Sequence, residues 1–328
     1  MSGNSAAYAE GARIMTICNA CRYCEGYCAV FPAMERRLTF GEPELQYLAN
    51  LCHDCGSCLP ACQYAPPHEF AVDVPQTLKR IREDSYEAAA WPRAAAPAFA
   101  HGGRFAAGAT ALAIASFAAA TFAFGPVSKG AMIAVFSVAG IAVAAALCAG
   151  VARCWRAIGG PRLSWNDAPA IAAALGDALR LRNLDGGGEG CPRRTFHHLA
   201  FYGFTLCFAA TVVAAFYDNV LGRPPPYPLL SAPVVLGTVG GITLLAGAAG
   251  LLKRANDLAF ILMLILVASS GLLLLALRAS PVMSLLLAVH LGIVLGLFAT
   301  MPYGKFVHGF YRFAALARDA LEKRQTAA

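Results

Sequence analysis

Residues 258–277 read LAFILMLILVASSGLLLLAL, twenty positions without one Asp, Glu, Lys or Arg. At about 1.5 Å rise per residue, a helix of this length reaches across the roughly 30 Å hydrocarbon core of a bilayer. Working outward, five more uncharged runs occupy 105–124, 131–152, 196–217, 232–252 and 281–303. The first two are rich in Ala and weaker as spans, and a buried pair of soluble helices is their other reading. Composition points the same way: 58% of the 328 residues are hydrophobic and only 14% charged, where a soluble domain carries about a quarter charged. The expected fold class is an α-helical membrane protein with six transmembrane helices.

The charges that remain sit beside the spans. The formal charge of +7 could suggest nucleic acid, but the basic residues lie in connections, as a membrane-surface bias requires, and no nucleic-acid partner is expected. Seven arginines fall in 153–194, Lys253 and Arg254 in one short turn, and Lys305, Arg312, Arg318, Lys323 and Arg324 after the last span. The opposite connections hold one basic residue each, Lys129, Arg223 and Arg278. Basic residues stay on the cytoplasmic side, so both termini are expected in the cytoplasm and the protein in the inner (cytoplasmic) membrane, crossing it several times.

Ahead of the spans the composition changes. Residues 1–92 are mixed and charged, with a polar helix pattern at Pro75–Ala90, and 93–103 read as a linker after Pro92. Residues 104–313 are expected to form the six-helix domain and 314–328 a cytoplasmic tail.

Eight of the 12 cysteines crowd into the first segment. Cys18, Cys21, Cys24 and Cys28 are spaced C-x2-C-x2-C-x3-C, and Cys52, Cys55, Cys58 and Cys62 repeat that spacing. This is the bacterial two-cluster ferredoxin pattern, in which the fourth cysteine of each run ligates the other cluster. The expected ligand sets are Cys18, Cys21, Cys24 and Cys62 for one 4Fe-4S cluster, and Cys52, Cys55, Cys58 and Cys28 for the second. A zinc site needs four ligands, usually as two separated pairs, and would leave the third close-set thiolate unused. The Pro that usually follows the fourth cysteine is replaced by Ala29 and Gln63; it shapes the turn and ligates nothing. The first 30 residues lack an apolar signal core, which agrees with a reducing compartment. Cys148, Cys154, Cys191 and Cys207 are isolated and receive no role.

Histidines in otherwise uncharged spans are functional candidates. His197 and His198 open the third span, His290 lies within the sixth, and His308 follows its end. The third span leaves the cytoplasm and the sixth returns, so His198 or His197 and His308 fall at similar depth. Two imidazoles on facing helices are what a b-type haem takes, with His198 and His308 as the preferred pair. The plainer reading is interfacial histidines at lipid headgroups. His290 stands 18 residues before His308, about 27 Å along an unbroken helix, and is a candidate for a second haem or for quinone. Tyr303 and Lys305, just after Pro302, are candidates for a quinone headgroup, with a belt residue and a basic anchor as their ordinary roles.

Other motifs carry less. The Gly186–Gly190 loop lacks the strand and the GK-Ser/Thr ending of a phosphate loop. Gly237, Gly241, Gly247 and Gly250 suit close helix contacts in lipid. No Ser/His/Asp set or carboxylate pair points to hydrolysis, and no internal repeat points to a transporter.

Four segments resemble the tricarballylate (citrate) utilization protein B family: ICNACRYCEGYCAVFPAM at 17–34, YLANLCHDCGSCLPACQYAPPHEF at 47–70, RRTFHHLAFYGFTLCFAAT at 193–211 and AVHLGIVLGLFATMPYGKFVHGFYR at 288–312. The resemblance implies an electron-transfer subunit of an oxidoreductase, without an organic substrate site of its own. Its partner would be a separate FAD-dependent dehydrogenase, whose reduced FAD it reoxidises through iron-sulfur clusters toward membrane quinone. PYGKFVH, with His290 upstream, is also similar to the haem-binding gamma subunit of membrane nitrate reductases, which favours His308 as a ligand. That family places two ligands ten residues apart on its earlier helix, where this chain has only His197 and His198. Reverse flow from quinol to a cytoplasmic acceptor, and a membrane redox sensor, are the alternative functions.

Overall fold

The computed structural model describes residues 2–182, 192–252 and 258–327, and these are helical throughout with no strand among them. In chain order the helices are α1 (Ser2–Cys21), α2 (Val30–Glu35), α3 (Glu42–Leu51), α4 (Cys58–Ala61), α5 (Val74–Ala89), α6 (Pro97–Ala100) and α7 (Gly102–Phe124). They continue as α8 (Lys129–Ala157), α9 (Ala168–Leu179), α10 (Pro192–Asn219), α11 (Ala232–Leu252), α12 (Leu258–Ala276), α13 (Met283–Thr300) and α14 (His308–Ala327). Two compact units emerge. The first gathers Met1–Ala100, Ala144–Cys191 and Phe306–Ala328, and the second His101–Val143 and Pro192–Lys305. The Gly186–Gly190 loop, Cys191, Lys253 and Arg254 lie outside the described residues.

The first unit is built like a water-soluble domain. Helix α5 shows why its sequence folds: Asp73 caps it by accepting from the Gln76 amide at 2.9 Å, and Pro75 presets its first turn. Its buried residues Val74, Thr77, Leu78, Ile81, Arg82, Ser85, Tyr86 and Ala89 recur every three or four positions, one face of a helix. That face closes on Ile14 and Met15 of α1, Phe31 and Met34 of α2, and Leu45, Leu48 and Leu51 of α3. Each such fully buried aliphatic side chain contributes about 1.5–3 kcal/mol.

Helix α14 belongs to this core. Tyr311, Ala314, Ala315, Leu316 and Ala317, with Val307 just before the helix, are buried in the same cluster as the N-terminal helices, and α14 packs on α3 and α9. Its acids complete the contact: Asp319 pairs with Arg36, Glu322 with Arg37 at 2.6 Å and Arg318 at 2.8 Å. The Tyr47 ring lies between the Arg37 and Arg318 guanidiniums at 4.5 and 4.4 Å, and its hydroxyl donates to Asp319 at 3.2 Å. The expected bounds 104–313 and 314–328 therefore do not divide the chain as its packing does. Small Ala side chains on most faces of α14, with acids aimed at Arg36 and Arg37, make it an internal helix of the first unit instead of a tail. Nor is 153–194 simply a loop, since it contains α9.

The long apolar helices, which make up the second unit and in α8 run on into the first, follow other rules. Six helices are long and apolar enough to cross a membrane, at Gly102–Phe124, Lys129–Ala157, Arg193–Asn219, Ala232–Leu252, Leu258–Ala276 and Met283–Tyr303. Within each, at most 33% of the most apolar stretch is buried inside the chain, so the remaining apolar surface calls for lipid. Their contacts run through small residues. A Cβ on Gly247 of α11 would strike the α10 backbone at Ala200, and one on Gly292 or Gly296 of α13 would strike α7 at Ile114 or Thr110. Gly240 abuts Cys207 in the same way, which accounts for that cysteine as a packing residue.

The unbroken helix expected between His290 and His308 is absent. Helix α13 ends at Thr300, and short 3-10 turns at Met301–Tyr303 and Lys305–Val307 flank an extended Gly304 before α14 begins. Pro302 has no N–H to continue the ladder, so the 27 Å rise computed along one axis does not apply.

Candidate iron-sulfur centres

Two recesses lie side by side in the first unit. Cys18 and Cys21 come from the end of α1, Cys24 from the turn after it and Cys62 from the end of α4; together with Arg22, Tyr23, Gln63, Tyr64 and Val72 they line a recess of about 340 Å³. Cys28, Cys52, Cys55 and Cys58, with Tyr27, His53, Gly56, Ser57, Val74 and Pro75, line another of about 400 Å³. Phe31 is in both linings and is nearly fully buried, so one ring forms the wall between them. Each recess thus combines three close-set cysteines with the fourth of the other run.

Local backbone geometry turns the thiols inward. Arg22 and Asp54 both take φ of 56° and Gly56 takes 76°, left-handed positions that reverse the chain between successive cysteines. Sulfur atoms receive hydrogen bonds from the same loops: the Asp54 amide donates to Cys52 Sγ at 3.4 Å, and the Gln63 side chain to Cys21 Sγ at 3.6 Å.

The donor set fits iron-sulfur clusters. Burial and then neighbouring thiolates push Cys18 up to about 12, burial pushes Cys28 up to about 12, and Cys58 is raised by burial and three cysteines of its own recess before Cys24. Thiolates crowded in this way repel each other until a cationic centre compensates them. Among the described residues no three His, Cys, Asp or Glu side chains converge on a point as ligands of a single ion.

Two arginines approach the second recess. Arg82 of α5 donates to the Cys52 carbonyl at 2.8 Å and pairs with Asp54 at 3.3 Å. Arg312 of α14 donates to the Leu51 carbonyl and to Nε2 of His53, the residues on either side of Cys52.

The histidines are divided between the units. His197, His198, His290, Tyr303 and Lys305 belong to the second and His308 to the first. On α10 the His198 ring stacks on Tyr202 with centroids 5.8 Å apart and planes 4° from parallel. On α13, His290 Nδ1 shares a 2.8 Å hydrogen bond with the Ser270 hydroxyl of α12, and a Cβ on Gly271 would touch the ring at 3.3 Å. One ring nitrogen is thereby fixed in orientation and Nε2 is the nitrogen left for a ligand role, the arrangement of a metal-binding or proton-donating imidazole. Tyr303 packs edge-on against Phe105 of α7 at 6.3 Å.

Residues 11–88 match the model of the Citrate utilization protein B Fer4-like domain, and 108–328 that of Citrate utilization protein B. The chain belongs to the citrate utilization protein B family. It is similar to the Citrate utilization protein B of Escherichia coli, with 46% identity over 359 residues that cover 97% of this chain and 93% of that protein. No solved structure matches it. The Fer4-like domain model covers all eight cysteines of the two recesses, and the second model takes in α8–α14 and most of α7.

Several residues at these sites were not singled out by sequence reasoning. Arg82 is one charge among many in a polar helix, and Arg312 was counted only as a basic residue after the last span. Ser270 had a visible signal, since Ser269 and Ser270 interrupt an otherwise aliphatic run, but its partner lies on another helix.

Proposed function

We propose that this family member is the membrane electron-transfer subunit of a citrate- or tricarballylate-type oxidation system, reoxidising the reduced FAD of a partner dehydrogenase and delivering the electrons to membrane quinone. The observation that carries this reading is the pair of adjacent four-cysteine recesses in a chain that also has six helices fit to cross a membrane. Bound there, two 4Fe-4S clusters supply one-electron carriers between a two-electron donor and a two-electron acceptor. In the balanced reaction FADH2 loses two electrons and two protons, and quinone gains two of each as quinol.

The chain's own residues divide the work. Cys18, Cys21, Cys24 and Cys62 would hold one cluster and Cys28, Cys52, Cys55 and Cys58 the other. Phe31 separates the two recesses by a single ring. His198 and His308 are the proposed ligands of a b-type haem, with His197 the neighbouring alternative, supported by their sequence positions at the cytoplasmic ends of the third and sixth spans. His290, oriented by Ser270, and Tyr303 and Lys305 are the proposed quinone-side residues. Placement of both termini in the cytoplasm is supported by the basic connections and by the first unit itself. Residues 1–100, the α9 segment and α14 pack into one body, which requires an even number of crossings between them.

The test uses the full chain purified anaerobically in detergent. It should contain about eight irons in cluster form, be reduced by a citrate- or tricarballylate-oxidising flavoprotein with its substrate, and be reoxidised on adding quinone. Protein that carries zinc, or that reduced flavoprotein leaves oxidised, would remove the proposal. A low-spin haem spectrum that disappears in His308→Ala while iron-sulfur content persists would support the haem assignment.

A further inference from the structure

We propose that Arg312 sets the direction of electron movement between the two recesses, by holding a positive charge beside the Cys28, Cys52, Cys55 and Cys58 site and making it the better electron acceptor. The inference rests on reading both recesses as iron-sulfur sites and adds an order to them.

Reducing a cluster adds one electron and no atom, so the reduced form carries one more negative charge. Nearby cations and N–H groups aimed at sulfur favour that form and raise the reduction potential. The two recesses differ in the cations. Arg312 is partly buried, donates to Leu51 and His53 on either side of Cys52, and attracts Cys52 and Cys28. Loss of solvation pulls its pKa down to about 10, which leaves it cationic at neutral pH. Among the described residues no carboxylate forms an ion pair with it. Arg82 is a second buried cation at the same site, but Asp54 at 3.3 Å offsets it.

At the other recess the lining cation is Arg22, which is exposed, donates its Nε to the Asn19 carbonyl at 3.0 Å and is screened by water. Hydrogen bonds to sulfur do not separate the sites: the Asp54 amide donates to Cys52 in one and the Gln63 side chain to Cys21 in the other, so the cations make the difference. An electron held at the Cys18 site would therefore move on to the Cys28 site; the first is oxidised as the second is reduced, and no proton is transferred.

Redox titration with EPR detection, on full-length protein purified anaerobically, tests this. A Cys55→Ser variant marks which signal belongs to the Cys28 recess, and that signal should have the higher midpoint in wild type. Arg312→Gln should lower it enough to change electron sharing between the sites at least tenfold, about 59 mV for one electron. Arg312→Lys should recover at least half of the displacement. The inference fails if the Cys55-marked signal is the lower one, if Arg312→Gln moves both midpoints equally or neither, or if Lys does no better than Gln. Should Arg312→Gln not retain iron, the wild-type order and the Lys variant still decide. Failure of the electron-transfer reading looks different: wild-type protein would then lack the iron, the sulfide and any cluster signal to titrate.

Discussion

Leu48 and Leu112 are the same side chain in opposite circumstances. Leu48 of α3 is 0% exposed, enclosed by α1, α2 and α5, whereas Leu112 of α7 is 70% exposed on a helix whose neighbours are equally apolar. In the first unit, hydrophobic residues converge and charged ones are paired at the edge of the core. In the second, small residues make the helix contacts and large aliphatic ones point away. The same residue types therefore mark the inside in one region and the outside in the other, and the difference lies in the solvent each region is built for.

This contrast can be broken at three points. Leu48→Ala should produce the largest loss, about 2–5 kcal/mol, because it leaves a cavity in a closed core; thermal loss of visible cluster absorbance would register it. An unchanged melting profile would mean that the first unit lacks the soluble-type core described. Next comes Gly247→Val, where added carbons meet the α10 backbone. Overpacking of this kind costs about 1–3 kcal/mol, and it should appear as lower resistance to detergent denaturation, with cluster content unaffected at low temperature. The smallest effect is expected for Leu112→Ala, within about 0.5 kcal/mol. A nitroxide attached to Leu112→Cys in bilayers sharpens the point: oxygen should relax it more strongly than a water-soluble nickel complex. The reverse preference would take α7 out of the lipid.

The parts readable from sequence were those encoded locally. An uncharged run such as 258–277 or a C-x2-C-x2-C spacing carries its meaning within a few turns of chain. What lay beyond reach depended on partners distant in sequence. The acids of α14 look like a solvated tail until Arg36 and Arg37, more than 280 positions earlier, are seen to face them. Arg312 reads as a membrane-surface charge because its partners Leu51 and His53 come from the other end of the chain. Proline announced a disturbance at 302, but not that α13 would stop at Thr300. Helix α9 was missed because twelve residues between charged loops give only a short apolar period.

The placement of α14 also has a consequence for how the protein is made. The core that surrounds the cysteine recesses includes α14, made more than 280 residues after α1, so the N-terminal segment cannot close when it first emerges. At roughly 5–20 residues per second, the stretch between α6 and α14 takes about 10–40 seconds to synthesise. During that interval the cysteines wait in an unfinished fold. A chain released early, before α14, would present its thiols with no closed domain to receive metal.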